Sequence, residues 1–247
     1  MSLYFKQASP EAVGIPSFAL IRMIGKLKQF NSLNSIMILR HGKCCAEGWW
    51  TPYAPEIPHT LFSLSKSFTS LAVGFAQQEG KLSIHDRLTT HLPEYDSVIR
   101  DGRMHDITLR HLLIMASGHD SCACPQMFAE PTGDWARGFL SSQLTYLPGE
   151  RFIYNSAATY MLSVIVRKVT GMNVREYLLP RLFEPLSIKP GIWENCPHGI
   201  NVGGWGLYLT TEDIAKFAQF LLQNGSWNGK QLISSDFLHD AVSQEID

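Results

Sequence analysis

Thr60-Leu-Phe-Ser-Leu-Ser-Lys-Ser-Phe-Thr-Ser70 is the stretch whose reading decides the fold. It opens a run in which Phe68, Leu71, Ala72, Phe75 and Ala76 recur at helical spacing and form one apolar face. Gly80 supplies a stop. Ser63 and Lys66, three residues apart, therefore share one side of the first turn of a buried helix. A serine hydroxyl is a poor nucleophile until a neighbouring base accepts its proton. A lysine can be that base when desolvation or the positive end of a helix lowers its pKa. The Ser63 N–H, unpaired in a first turn, can face a developing oxyanion. One Ser-x-x-Lys arises by chance in a chain of this length, so the pair needs support from elsewhere.

Composition limits what that support can be. The 247 residues are 45% hydrophobic and 17% charged, which describes a globular protein with a sizeable core. A net charge of -1 gives no electrostatic case for nucleic acid or an anionic membrane. No apolar run is long enough to span a bilayer. Met1-Ser-Leu-Tyr-Phe-Lys6 lacks the apolar core of a signal peptide, so the expectation is a cytoplasmic location or a leader already removed. The five cysteines (44, 45, 122, 124 and 196) have no framework-like spacing and are expected to be mostly free thiols.

Outward from the central stretch, the pattern is lopsided. Pro16 and Ser17 start a helix through Leu20, Met23, Ile24 and Leu27. Ser35–Arg40 and Cys44–Trp50 read as a hairpin turning at His41-Gly42-Lys43. A lone hairpin is marginal and needs strands beside it. From residue 60 onward the sequence reads as helix and loop. Thr108 caps Leu109–Met115, and residues 121–150 look irregular. A helix runs over 157–169 to Gly171, and another follows Asn173. Thr210-x-x-Asp213 is a capping box for a helix ending at Asn224-Gly225, and a last helix runs from Asp236 to about Gln244. The division expected is a helix and sheet hairpin in 1–58 and a mainly helical region in 59–247.

Tyr154-Asn155-Ser156 sits in the turn before the 157–169 helix. A tyrosine beside a cationic lysine can have a lowered pKa and move protons. Ser156 could relay a proton or donate to a substrate. By itself Tyr154 reads rather as a core aromatic with a satisfied hydroxyl. His119, Cys122 and Cys124 are metal-ligand types, but Cys-x-Cys is tight for tetrahedral zinc and no second pair matches it, so no metal is expected there. Trp49, Trp50 and Tyr53 could line a pocket or pack at the sheet edge.

The ordered set decides between these readings. Ser63-x-x-Lys66, Gly80-Lys-Leu-Ser83, Ile107-Thr-Leu-Arg-His-Leu-Leu113, Ser117-Gly118, Pro148-Gly149-Glu150 with Tyr154-Asn-Ser156, and Gly203-Gly204 before Asp213 occur in one sequence. The chain resembles the serine β-lactamase and penicillin-binding-protein superfamily. Within it the resemblance is to the class C-like branch of esterases and D-amino-acid peptidases, from about residue 8 to 244. It implies an α+β fold of the β-lactamase/DD-peptidase type, in which a helical subdomain packs on an antiparallel sheet represented here by its N-terminal hairpin. It makes Ser63 the acylated nucleophile, Lys66 its activator and Tyr154 the proton shuttle, with Asn155 and Ser156 at the substrate and no metal or cofactor.

The branch usually carries Asn where this chain has Ser156. The change removes an amide that both donates and accepts, and favours an ester or small amide over a β-lactam. The resemblance also implies a third motif, Lys-Thr-Gly or His-x-Gly, on a strand that would follow Asp247 and supply a second oxyanion N–H. Without it the expectation is a serine hydrolase poorly active alone, with strand edges open to self-association. A penicillin-recognising sensor and a non-catalytic fragment are the alternative readings.

Overall fold

The computed structural model describes residues 4–30 and 32–243. Lys6–Gln7 forms β1, and Ser17–Leu27 forms α1 behind Pro16. The hairpin follows as Ser35–Arg40 (β2) and Lys43–Trp49 (β3), antiparallel, with Met37 opposite Glu47. A register shift between Ile38 and Leu39 accommodates an extra residue, so Cys44 and Cys45 are both buried rather than split between two faces. The sheet order is β1-β3-β2. The parallel β1 was missed because its two residues are polar and exposed and carry no alternation.

His59–Thr60 (β4) leads through a 3₁₀ turn, Phe62–Leu64, directly into α2, Ser65–Gln78. Its apolar face is as the spacing requires, and Phe68, Leu71, Ala72, Phe75 and Ala76 are all buried. Thr69, Val73 and Gly74 are buried too, so α2 is enclosed nearly all round. Gly80, at φ +68°, takes the left-handed turn that ends the segment. Leu109–Leu113 is α3. Its Thr108 cap works reciprocally, with Oγ1 accepting from the His111 N–H and His111 Nδ1 accepting from the Thr108 N–H, each at 3.2 Å.

Residues 121–150 are less irregular than expected. They contain two short helices, Cys124–Phe128 (α4) and Trp135–Leu140 (α5). Each is too brief for a 3.6-residue pattern to register. Ser156–Thr170 is α6, closed by Gly171 at φ +74°. Val174–Leu178 is α7, and a π turn extends it to Phe183. Tyr208–Leu209 (β5) precedes Thr211–Leu222 (α8), which Thr210 caps by accepting from the Asp213 N–H at 3.2 Å. Ser226–Trp227 (β6) and Lys230–Gln231 (β7) form a small hairpin before Ser235–Val242 (α9). The end expected for this last helix, Gln244, lies outside the described residues.

Strands are therefore not confined to the N-terminus. β4 pairs with β5, placing His59 opposite Leu209 and Thr60 opposite Tyr208. The sequence pattern could not show this, because each strand is two residues long and their partners lie about 150 positions apart. The core is helical, with α2 against α6, whose residues from Ala157 to Val166 are all buried. Phe68 stacks on Phe217 of α8 with ring centroids 4.0 Å apart. Among the described residues, no helix is long and apolar enough to cross a membrane.

Candidate active site

The β4–β5 pairing begins a seam that runs onto the first turns of α2. The Leu61 N–H donates to the Leu207 carbonyl at 2.8 Å, and the Leu207 N–H returns to Ser65 Oγ at 3.2 Å. One turn on, Thr69 Oγ1 donates to the Gly203 carbonyl at 2.9 Å. Between these contacts the Lys66 ammonium donates to the Gly204 carbonyl at 2.6 Å. The glycines make this approach possible. A Cβ on Gly203, whose φ is +63°, would stand 2.9 Å from Ser163 Cβ, and one on Gly204 would stand 2.9 Å from the Ser156 carbonyl oxygen. The seam was missed at the level of pattern. The available signal was three glycines within Gly203–Gly206, which mark close backbone contact.

Lys66 Nζ also donates to Ser63 Oγ, at 3.1 Å. Ser63 is in the 3₁₀ turn, exposed, with the exposed side chains of Phe62 and Leu64 on either side. Phe62 adopts φ +44°, a left-handed conformation unusual for a bulky residue, which swings the chain from β4 into the turn presenting Ser63.

Tyr154 completes the group from the other side. The Lys66 ammonium lies 5.0 Å from its ring centroid. Partial burial pushes the phenol up, but hydrogen bonds with Ser63 and Lys66, the lysine charge and a hydrogen bond with Ser156 together outweigh it. The phenol is held below its ordinary value of 10.0. Half of the Tyr154 side chain remains exposed.

Asn155 faces the opposite way. It is fully buried, and its Oδ1 accepts from Ala157 N–H at 3.1 Å and from Ala123 N–H at 3.2 Å, while its Nδ2 donates to Ser117 Oγ at 3.4 Å. A substrate-contacting Asn155 is therefore corrected to a helix cap that ties the Tyr154 turn to two loops. The extended backbone at Asn155 turns successive side chains to opposite sides, so Tyr154 and Asn155 cannot share a face. Ser156, half-buried at the start of α6, stays beside the phenol.

Below the turn, His119 is clamped between Ser117 Oγ, 2.9 Å from Nδ1, and Ser142 Oγ, 2.8 Å from Nε2. Burial pushes this imidazole down to about 4. His119 is thus committed to serines rather than to Cys122 and Cys124. Trp49 and Tyr53 pack away from Ser63. The Trp49 Nε1–H donates to Thr211 Oγ1 at 3.2 Å, and Tyr53 stacks on His59. A cavity of about 730 Å³ lies elsewhere, between α2 and α9, lined by Ser70, Gly74, Ile114, Phe152 and Phe237, without Ser63, Lys66 or Tyr154.

The family model for Beta-lactamase matches residues 34–241. The chain belongs to the Beta-lactamase family. Protein flp of Staphylococcus aureus (strain MW2) is 26% identical over 167 residues, which cover 63% of this chain and 33% of that protein. An uncharacterised protein of Alkalihalophilus pseudofirmus is 24% identical over 230 residues, covering 82% of this chain and 62% of its own length.

Among solved structures, a Bacillus anthracis protein assigned as a 6-aminohexanoate-dimer hydrolase superposes with a TM-score of 0.75 at 22% identity, covering 88% of this chain and 61% of that one. The octameric penicillin-binding protein homologue from Pyrococcus abyssi gives 0.70 at 20%, covering 91% and 59%. The fold is thus that of the β-lactamase and penicillin-binding-protein superfamily. The chain spans between a third and about three-fifths of the length of these relatives.

Proposed function

We propose that this member of the Beta-lactamase family is a serine acyl-hydrolase working through an acyl-Ser63 intermediate on a carboxylic ester or small amide. The observation that carries the reading is the Lys66 ammonium, fixed by Gly204 and 3.1 Å from Ser63 Oγ, with a phenol of lowered pKa against both. Ser63 Oγ attacks the acyl carbon and its proton passes into the Tyr154–Lys66 pair. The pair returns that proton to the leaving group. Water then enters and gives a proton to the same pair, its oxygen displaces Ser63 from the acyl group, and the pair returns that proton to Ser63 Oγ as the ester C–O bond breaks. The Ser63 N–H at the start of the helix is the oxyanion donor that this chain itself supplies.

Substrate class follows from what stands around the nucleophile. Next to Gly204, Trp205 meets Phe128 edge-on at 6.0 Å and Trp135 at 6.2 Å, and Phe128 is half exposed. This wall suits an apolar acyl or leaving group. Ser156 offers a hydroxyl in place of an amide, which favours esters and small amides over the β-lactam ring. The name of the B. anthracis neighbour, a dimer hydrolase, belongs to the same reaction class.

The test is intact mass after a fluorophosphonate and after a chromogenic short-chain ester. The expected result is one covalent addition, absent in Ser63→Ala, with the ester adduct decaying over time. A persistent ester adduct would make the protein an acyl-binding sensor instead. No serine-dependent addition would overturn the reading.

A further inference from the structure

The thiols beside the proposed site are arranged as a pair. Cys122 and Cys124, both partly accessible, hold their sulfurs 3.1 Å apart. They bracket Ala123, whose N–H donates to Asn155 Oδ1, so this three-residue loop is tied to the Tyr154-Asn155-Ser156 turn. The start of the fifteen-residue α6 adjoins the pair, the Ser156 and Ala157 backbone favouring ionisation of Cys122, and the charge of Lys66 acts on Cys124.

The remaining cysteines are placed differently. All three are buried. The Cys44 thiol is directed at the Ala46 carbonyl and the Cys45 thiol at the Ile38 carbonyl, and Cys196 accepts from the Tyr160 hydroxyl.

The two paired sulfurs are also chemically unlike. Burial pushes the Cys122 thiol up, but the hydrogen bond it shares with Cys124 and the backbone of Cys124, Ala157 and Ser156 outweigh it, leaving Cys122 below its ordinary value. Burial, reinforced by the neighbouring Cys122, pushes Cys124 up to about 12. Cys122 is thus the more acidic of two sulfurs that lie within reach of each other.

We infer that Cys122 and Cys124 form a reversible dithiol–disulfide site, oxidised by hydroperoxides, whose state is transmitted to the Tyr154 turn. The Cys122 thiolate attacks one oxygen of the hydroperoxide. The S–O bond forms, the O–O bond breaks, and the departing alkoxide takes a proton from water to leave as an alcohol. Sulfur has lost two electrons and the peroxide has gained them. Cys124 then attacks the resulting sulfenic acid at sulfur. The S–S bond forms and the S–O bond breaks, and the oxygen departs as water carrying the Cys124 proton. Two equivalents of an external thiol restore the dithiol by exchange. Closing the bond draws Cys122 and Cys124 together around Ala123, pulls on Asn155, and so shifts the Tyr154 turn beside Ser63 and Lys66. That last effect on Ser63 chemistry rests on the hydrolase reading, whereas the disulfide does not.

The experiment treats the reduced full chain with hydrogen peroxide and reads intact mass and peptide maps. Loss of two hydrogens, mapped to a Cys122–Cys124 link and reversed by dithiothreitol, is the expected result. Cys124→Ser should stop at a dimedone-reactive Cys122 sulfenic acid, and Cys122→Ser should leave Cys124 unmodified. Oxygen additions accumulating on wild-type Cys122 without a link, or first oxidation at Cys44, Cys45 or Cys196, would overturn the site. Fluorophosphonate labelling of Ser63 in the two states supplies the second readout. A rate that changes on oxidation and returns on reduction supports the coupling, and equal rates overturn it. Absence of labelling in both states overturns the hydrolase reading and the coupling together, and leaves the disulfide to be decided by mass.

Discussion

The two halves of this molecule are packed to different degrees. Around α2 and α6 nearly every side chain is enclosed, including an unbroken buried run from Ala157 to Val166. Along β2 no residue is fully buried, and α1 buries only Leu20 while Phe18 and Ile21 stand exposed. Ser63, Lys66, Tyr154 and Ser156 all hang from the enclosed half. Groups that must hold hydrogen-bond geometry to a few tenths of an ångström belong on elements whose own positions are fixed by close packing. The sheet half contributes through structure alone, by way of Trp49 and Ser35 bonded to Thr211.

The contrast can be broken at several points. Lys66→Ala should slow Ser63 acylation by roughly a thousandfold, as loss of a proton-transferring group does. It should leave the melting temperature nearly unchanged, read by fluorophosphonate kinetics beside calorimetry. If the helical core carries stability as it carries chemistry, Phe68→Ala should cost about 4 kcal/mol in urea unfolding, since Phe68 is wholly buried against Phe217 and Phe183.

A pH series sharpens the comparison further. His119 stays neutral in the fold down to about 4, whereas the unfolded chain takes up the proton near its ordinary value of 6.5. Between those values the unfolded state binds more protons, so stability falls as pH is lowered through the window, by on the order of 3 kcal/mol. His119→Gln should flatten that slope in urea titrations at successive pH values. Ile38→Ala, on half-exposed β2, should cost only about 1 kcal/mol. A loss there as large as at Phe68 would dissolve the distinction between the halves.

How much of this could be read from residues alone follows the same division. α2 and α6 were legible because each is long, periodic and ended by a glycine. Ser63, Lys66 and Tyr154 were legible as residue types at fixed places relative to those helices. Asn155 was misassigned because sequence order says nothing about which of two neighbouring side chains turns inward. The seam over 203–209 was invisible because its partners are remote and its strands short. α4 and α5 escaped because a five- or six-residue helix shows no period. His119 showed its type but not its two serine clamps, one of which, Ser142, lies 23 positions away.

The bond from Lys66 to the Gly204 carbonyl joins residues 138 positions apart. On the ribosome, the helix that follows Ser63 can form locally as it emerges, yet the acceptor that fixes the Lys66 ammonium is made 138 residues later. Closing so long a loop is slow compared with winding a helix. A nascent or half-folded chain in which that acceptor has not docked holds a helix with an untethered lysine. Under the proposed function, acylation competence waits for the Gly203–Gly206 turn to dock, so a serine-directed probe added during refolding would time that docking rather than the formation of α2.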